Sequence, residues 1–542
     1  MGNTTHKELG EAQRHAQSKL GKVSVSGRYH RLPKKLSDDY EIDTKVLGSG
    51  YNGSVFLAKD KTSGQKCAVK GFKLHGVPRV KKEELETECE IFLSLDHPHV
   101  ARLIDVYESE DHLDLVMECM EGGELFHRVT ERKRFSEKDA CDAANQMLLA
   151  IAYIHSHGVV HRDIKLENFL YEKNNSDHMK LIDFGFSKIW DPNTKMCLSC
   201  GTLAYVAPEV LSKSYTSQCD LWSLGVVVFI LLVGYMPFSG SEQHQMKQIR
   251  SGNATYKKER WANVSKEASE FVAELLLVNP QKRMTADQAL EHKWVKSRHE
   301  AAKDAPHIDQ GTADALIQFA QASHFRRACM SVMAWSLTNE ERAKVRDAFL
   351  EMDKDHHGTI TINEFKEVMQ KKFHVNNEDA QRAFAALDQS HSEEIHYSDF
   401  LAAMVASRIR LHDKLLKQTF RRFDTDGTGY ISADNLRTIL GGSAHEEEVD
   451  ALLSDVDQPH DGKISYEDFI SYLKGADAAD HHHQAAHRVI DSELKQEHEH
   501  AEHHRRMSPA KLRMKTTELI SRLGSKDGKH GKNKAGCKCS IL

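Results

Sequence analysis

The sequence predicts a multidomain chain in which an α+β domain precedes an all-α module. Three observations carry that prediction. Residues 40–110 read as strands around a single helix, and from about 123 to 295 apolar residues recur at i, i+3 and i+4. From 338 to 475 a helix–loop–helix unit of roughly 35 residues repeats. A length of 542 residues leaves room for about three or four such domains.

Composition excludes several classes. A hydrophobic content of 40% is too high for a wholly disordered chain, and 10 prolines are too few for Pro-rich linkers. The longest apolar run, Leu224 to Val233, is shorter than the ~18 residues of a membrane span, and the N-terminus has no apolar stretch for a secretory signal. A cytoplasmic or membrane-peripheral protein is expected. The net charge of −6 conceals a layout: residues 1–39 hold eight Lys/Arg and four Asp/Glu, residues 338–475 hold 17 and 27, and residues 505–542 hold 11 and two. The acidic block points to cation binding, and the basic end to an acidic partner. Ten cysteines show no disulfide framework, and Cys197-Leu198-Ser199-Cys200 lacks the second pair that zinc would need.

In the first domain a strand, Tyr40 to Leu47, runs into Gly48-Ser49-Gly50-Tyr51-Asn52-Gly53-Ser54-Val55, a GxGxxGxV turn whose backbone N–H groups can close over phosphates. The turn joins two strands rather than opening a helix, which argues against a dinucleotide site. Strands follow at Val55–Ala58 and Cys67–Gly71, and a helix from about Lys81 to Leu95 stops before Pro98. Lys70 ends Cys67-Ala68-Val69-Lys70 as a point charge for phosphates, and Glu88 on the helix could hold it by an ion pair. His161-Arg162-Asp163-Ile164-Lys165-Leu166-Glu167-Asn168, Asp183-Phe184-Gly185 and Ala207-Pro208-Glu209 come next.

With six motifs in order, residues 40–295 resemble a eukaryotic protein kinase. The resemblance implies a bilobal α+β fold and ATP-dependent phosphoryl transfer, where positioning and charge neutralisation matter more than covalent chemistry. It implies ATP contacts from Leu47, Gly48, Ser49, Gly50, Gly53, Val55, Ala68, Lys70, Glu88, Glu118, Met120 and Glu124. Glu118 to Met120 would be the hinge that meets adenine, and Met117 would gate the pocket behind it. Asp163 would accept the substrate hydroxyl's proton, Lys165 would stabilise the moving phosphoryl group, and Asn168 with Asp183 would hold Mg²⁺. Glu209 is expected to pair with Arg283, and Asp220 to anchor the catalytic loop. Lys165, with Gly201-Thr202, resembles Ser/Thr kinases. Glu124 and Glu167 match positions that read a basic residue before the phosphorylation site, although both also read as helix-end carboxylates. Leu198 stands where related kinases often carry a phosphorylatable Thr, so activation-loop phosphorylation is not expected to be the main switch.

The acidic block holds four loops in the EF-hand register, with oxygens expected at positions 1, 3, 5, 7, 9 and 12 and glycine at 6. The division expected is 338–375, 376–411, 412–447 and 448–475. Loop one offers Asp353, Asp355, Thr359 and Glu364, with His357 at position 5. Loop two, Asp388 to Asp399, has Glu393 in place of glycine and is expected to be empty. Loop three offers Asp424, Asp426, Thr428 and Tyr430, but Asn435 stands at 12. Loop four offers Asp457, Asp461, Lys463 and Asp468, with Pro459 at 3. Ca²⁺ is expected first at loops one and three.

A kinase joined to four EF-hands resembles the calcium-dependent protein kinases of plants, algae, ciliates and apicomplexan parasites. The segment 296–337 between the modules, including Leu316 to Trp335, reads as a basic amphipathic helix of the kind a calmodulin-like lobe grips. The resemblance implies that this junction blocks the kinase until Ca²⁺ lets the EF module take hold of it. Two rivals stay open: a kinase made largely Ca²⁺-independent by its degenerate loops, and a non-catalytic calcium-binding membrane scaffold.

Residues 476–542 are His-rich, then basic. Eight histidines fall within 481–504, read as a solvated spacer rather than a metal site. Cys539-Ser540-Ile541-Leu542 fits the prenylation pattern, with Cys537 available for a second lipid and Lys526, Lys529, Lys532, Lys534 and Lys538 as a polybasic patch. A prenyl anchor would make membrane the acidic partner; without aromatic interleaving or a fold signal, nucleic acid is not expected. Gly2 resembles a myristoylation start, but His6 stands where Ser or Thr belongs.

Overall fold

The computed structural model describes residues 27–50, 53–182, 202–212, 216–296, 308–388, 392–405, 411–440, 449, 453, 456, 457 and 462–474. These fall in two compact units, one within Met1–Thr419 and Thr438–Ser443, the other within Phe420–Arg437 and Ala444–Leu542. Asp183, the activation segment to Gly201, Asp461, the His-rich tract, Cys537, Cys539 and Gly2 lie outside the described residues.

The first unit opens on a six-stranded sheet built from β1 (Tyr29–Arg31), β2 (Tyr40–Gly50), β3 (Gly53–Asp60), β4 (Lys66–Lys73), β5 (Leu103–Glu108) and β6 (His112–Glu118), in the order β1-β5-β6-β4-β3-β2. β1 pairs with β5 in parallel, and the other neighbours are antiparallel. Between β1 and β2 sits a single turn, α1 (Leu36–Asp39). Helix α2 (Arg79–Ser94) follows Pro78, whose fixed φ suits a helix start, and buries Leu85, Cys89, Phe92 and Leu93. The three-residue β1 lies in a stretch to which sequence reasoning gives no strand.

The larger lobe is organised on α4 (Glu137–Ser156) and α5 (Gln218–Val233). Ser136 caps α4 by accepting from Asp139 N at 3.1 Å. The apolar run Leu224–Val233 lies within α5, and every residue from Cys219 to Val233 is buried. A helix hydrophobic all round belongs inside a domain, and each such side chain contributes about 1.5–3 kcal/mol on burial. Helix α5 stops at Gly234 (φ +76°), where an added Cβ would meet Lys133 O at 2.2 Å; only glycine fits this left-handed cap. Around these two helices lie α3 (Leu125–Arg132), the β7–β8 hairpin (Phe169–Tyr171 and Met179–Leu181), α6 (Glu242–Ser251), α7 (Lys258–Trp261), α8 (Lys266–Leu275) and α9 (Ala286–Leu290).

The junction differs from the single helix expected. It forms α10 (Gln310–Gln321) and α11 (His324–Ser336). Ala322 is extended, and Ser323 caps the second helix by accepting from Arg326 N at 3.2 Å. The apolar periodicity continues across the break, and the serine starts a new helix because its hydroxyl satisfies an N–H that a continuous helix would bond to a carbonyl.

The same unit continues into a first pair of helix–loop–helix hands. These are α12 (Asn339–Met352), β9 (Ile360–Thr361) and α13 (Ile362–Phe373), then α14 (Asn377–Leu387), β10 (Glu394–Ile395) and α15 (Tyr397–Val405). Strands β9 and β10 pair antiparallel, with Ile360 opposite Ile395. Helix α10 packs on α14, and α11 on α15. Helix α16 (Asp413–Phe423) leads to the second unit, where β11 (Ile431–Ser432) precedes α17 (Ala433–Leu440) and pairs with β12 (Lys463–Ile464), before α18 (Tyr466–Lys474). There Phe420 meets Phe469 and Tyr466 edge-on, with ring centroids 5.6 and 5.2 Å apart.

Candidate active site and cation loops

The catalytic loop takes its shape from one buried carboxylate. Asp220, on α5, accepts from the backbone N–H of His161 at 2.9 Å and of Arg162 at 2.8 Å, and lies 2.9 Å from His155 Nε2. Burial would raise this carboxyl, but the hydrogen bond and charge of His155 hold it below the usual range. Arg162 sits at φ +68°, a conformation worth about 1–3 kcal/mol of strain, and the two bonds to Asp220 hold it there. Asp220 thus anchors the loop as expected, and Arg283 holds Glu209 through two bonds of 2.6 and 3.1 Å.

Within that loop Asp163 Oδ2 accepts from Lys165 Nζ at 2.7 Å and from Asn168 Nδ2 at 3.1 Å, and Asn168 Nδ2 also donates to the Asp163 carbonyl at 2.7 Å. The structure therefore brings the three expected catalytic residues together. Asn168 spends its nitrogen on Asp163, which leaves its amide oxygen as the group suited to a hard cation. Ile182 N donates to Asn168 O at 2.9 Å, so the segment leading to Asp183 is tied to the same loop.

The nucleotide side comes from the sheet. Gly50 pairs with Gly53 across the turn, and Gly48 with Val55. An added Cβ on Gly48 would meet nothing within 4 Å among the described residues. Lys70 lies in register between Val55 of β3 and Leu115 of β6, and Ala68 faces Met117. Lys70, Ala68 and Glu88 are buried, while Leu47 on β2 is exposed. Ser49 belongs to the described backbone only, as does Thr202, in a short 3₁₀ turn. Met120 follows β6, partly buried.

Glu118 departs from a plain hinge residue. Its side chain is buried and bonded to Lys180 Nζ at 2.6 Å and to an Arg342 terminal nitrogen at 2.5 Å. Its Oε2 also accepts from Arg102 N at 3.1 Å. Burial alone would raise the carboxyl; the Arg342 and Lys180 cations bring it down to about 2. Sequence reasoning missed Lys180 and Arg342, which lie in no motif.

Glu124 caps α3, 3.7 Å from His127 Nδ1 and bridged through its backbone to Leu170. Glu167 lies on the 3₁₀ turn Leu166–Asn168. Burial raises its carboxyl, and the charges of Glu124 and Asp163 raise it further. The two acids share one electrostatic neighbourhood beside the catalytic loop, where a basic side chain would relieve them.

Loop one gathers Asp353, Asp355 and Glu364, with one oxygen of each within 4.8 Å of the others. Asp353 is buried, its Oδ2 accepts from Gly358 N at 2.9 Å, and its Oδ1 is a buried oxygen with no hydrogen-bond partner among the described residues. Burial, then the charges of Asp355 and Glu364, push the Asp353 carboxyl well up. A mutually repelling oxygen cluster, with Asp353 and Glu364 buried and Asp355 open to solvent, fits a divalent cation. His357, at position 5, lies 3.2 Å from Asp355 and 3.8 Å from Asp287 on α9, and its hydrogen bond to Asp355 raises it to about 9. Thr359 is buried beside them.

The other loops keep the same turn. Glu393 N donates to Asp388 Oδ2 at 2.9 Å, Gly429 N to Asp424 at 2.8 Å and Gly462 N to Asp457 at 2.7 Å. Glu393 adopts φ +64°, so loop two retains the shape at a cost in strain rather than losing it. In loop three Thr428 bonds Asp424, Asp426 and the Tyr430 carbonyl, and burial with the neighbouring Asp426 raises Asp424 to about 6. Asn435 accepts from Ser432 N at 3.0 Å and donates to Thr425 Oγ1 at 2.9 Å. It brings one neutral oxygen where a glutamate brings two anionic ones. In loop four Asp468 accepts from Ser465, and Lys463 lies on β12, exposed. Asn435→Glu should tighten Ca²⁺ binding at loop three by about tenfold or more, checked by calorimetric titration of the full chain; unchanged affinity would show that position 12 does not limit this loop.

Comparison with known proteins matches residues 41–295 to the protein kinase domain, and residues 342–405 and 413–474 to the EF-hand domain pair. The chain is 34% identical over 449 residues to calcium-dependent protein kinase 3 of Oryza sativa subsp. japonica, covering 81% of each chain. It is 35% identical over 450 residues to calcium-dependent protein kinase 7 of Arabidopsis thaliana, covering 81% of this chain and 83% of that one. It is 33% identical over 454 residues to calcium-dependent protein kinase 5 of Plasmodium falciparum (isolate 3D7), covering 81% and 79%. With a catalytic loop held by Asp220 and an oxygen cluster at Asp353, Asp355 and Glu364, the chain belongs to the calcium-dependent protein kinases, ATP- and Mg²⁺-using Ser/Thr kinases with a Ca²⁺-binding EF-hand module.

Proposed function

We propose that Ca²⁺ switches this Ser/Thr kinase on by changing how its first EF-hand lobe engages the kinase domain and the junction. One observation carries the reading: the first cation loop lies directly against the catalytic domain. A Cβ added to Gly358 would come 2.4 Å from the Tyr153 ring and 2.7 Å from His97. Filling that loop neutralises its repelling carboxylates where the loop touches α4, the helix behind the catalytic loop. A ligand shifts such an equilibrium only by its difference in affinity for the two states, so the oxygen cluster must close better in the active one.

In the reaction, Asp163 takes the proton of the substrate hydroxyl as the oxygen attacks the γ-phosphorus of ATP and the bond to the bridging oxygen breaks, releasing ADP. Lys165, 2.7 Å from that carboxylate, orients it and meets the charge of the transferring group. Asn168 and Asp183 are assigned to Mg²⁺, which neutralises phosphate charge when bound. Glu124 and Glu167 favour a substrate with a basic residue before its Ser or Thr, and junction residues 296–337 act as the inhibitory segment. At the chain's end Cys539 is assigned as the prenyl acceptor, with Cys537 and the basic tail strengthening a peripheral membrane attachment.

A basic Ser/Thr peptide should be phosphorylated at least about tenfold faster in saturating Ca²⁺ than in excess EGTA, and Asp163→Asn should abolish both rates. Equal rates in Ca²⁺ and EGTA would exclude calcium control, and an active Asp163→Asn protein would exclude the catalytic assignment. Cys539→Ser should move the chain from the membrane pellet to the soluble fraction on cell fractionation, whereas a distribution like that of the unaltered protein would count against the anchor.

A further inference from the structure

The cluster around Glu118 joins three parts of the first unit that are remote in sequence. Glu118 ends β6 and begins the hinge. Lys180 lies on β8, three residues before Asp183. Arg342 lies on α12, the first helix of the first EF-hand. All three side chains are buried, with relative exposures of 3%, 4% and 5%. Lys180 and Arg342 meet the same carboxylate oxygen, while the other oxygen accepts from Arg102 N. Arg102 in turn pairs with Asp96 at 2.7 Å, donates to Ala334 O at 2.9 Å and stacks on Trp335, 4.7 Å from the ring centroid. A second ion pair joins the same helix to the kinase domain: Arg346, one turn further along α12, lies 3.4 Å from Glu172 on the β7–β8 hairpin.

Helix α12 carries Arg342 near its start, and Asp353 immediately follows its end. They are eleven positions apart along the helix, about 16 Å at 1.5 Å per residue. One rigid element therefore spans from the first cation loop to the back of the hinge. When α12 moves, Glu118 exchanges a two-cation environment for Lys180 alone. A buried carboxylate that loses a hydrogen-bonded cation must shift or admit water. Because that carboxylate begins the hinge, such a shift moves the backbone of Glu118 to Met120.

We propose that Arg342, supplied by the calcium module, is a positioning residue for nucleotide binding: it holds Glu118 from behind so that the hinge backbone is fixed for adenine. Ca²⁺ on the first loop and nucleotide in the cleft then favour the same placement of α12. Coupling of this kind is reciprocal, so nucleotide must strengthen Ca²⁺ binding as Ca²⁺ strengthens nucleotide binding. The inference rests on calcium control of the kinase, but its test can be read apart from it.

In the full chain at saturating Ca²⁺, Arg342→Met should raise the KM for ATP about fivefold with kcat within about twofold of the unaltered protein, and Arg342→Lys, which restores a cation, should recover most of the loss. A merely structural role would lower the amount of active enzyme and leave KM unchanged; that result, or a fall in kcat alone, overturns the proposal. A second measurement needs no variant. Adding Mg²⁺ with a non-hydrolysable ATP analogue to the unaltered chain should lower the Ca²⁺ concentration at half-saturation, read by calorimetry, and an unmoved midpoint overturns the reciprocal linkage. If calcium control itself fails, the unaltered chain shows equal rates in Ca²⁺ and EGTA, while the KM of Arg342→Met still reports on the hinge.

Discussion

A carboxylate taken out of water has to be met by cations and N–H groups, and Glu118 imposes that requirement at the point where the lobes of the kinase join. Its demand is met by Arg102 N just ahead of the neighbouring strand, by Lys180 from the hairpin leading to Asp183, and by Arg342 from the EF-hand module. Removing one partner from a buried ion pair costs about 3–5 kcal/mol, because the remaining charge stays buried. Solvent-facing pairs along the same seam, such as Lys173 with Glu340, are screened and fix little by comparison. The interaction that ties regulatory helix to catalytic domain is therefore located at the hinge rather than spread evenly over the contact.

The catalytic and regulatory halves use burial in opposite ways. Around Asp220 burial is matched by donors: the carboxyl stays charged, and the strained Arg162 backbone is kept in place. In cation loops one and three a backbone N–H meets the first aspartate, but acidic neighbours surround it. Asp353 carries an oxygen without a hydrogen bond among the described residues and has two acidic neighbours, and Asp424 is raised by burial and Asp426. A site that is unfavourable without its cation gains most by binding it, and the first loop lies against Tyr153 and His97 at Gly358. His357, set between Asp355 and Asp287, places a further charged contact across this boundary.

Much of this was legible in the sequence because chain spacing alone dictates it. Asp163, Lys165 and Asn168 meet because they lie within one short loop, and each cation loop holds its position-1 aspartate by an N–H five residues on. The Glu209–Arg283 pair was legible only through the resemblance to protein kinases, since Arg283 lies in none of the motifs. What escaped depends on tertiary packing. Arg342 reaches Glu118 across 224 residues and Lys180 across 62, and an arginine on an acidic helix carries no local sign of such a partner. Strand β1 is too short to show a period. The break between α10 and α11 was signalled by Ser323 but hidden under a continuous apolar pattern, and Glu393 read as a disruption although its N–H, not its side chain, makes the bond that shapes the loop.

If Arg342 couples the two sites, nucleotide site and calcium module respond together through Glu118 and α12. Amide hydrogen exchange on the full chain, with and without a Mg²⁺-bound non-hydrolysable ATP analogue at fixed subsaturating Ca²⁺, reads both ends of that coupling at once. Nucleotide should slow exchange in the hinge and also in residues 339–352, away from the cleft. Protection confined to the glycine turn and hinge, with exchange in 339–352 unchanged, would contradict it.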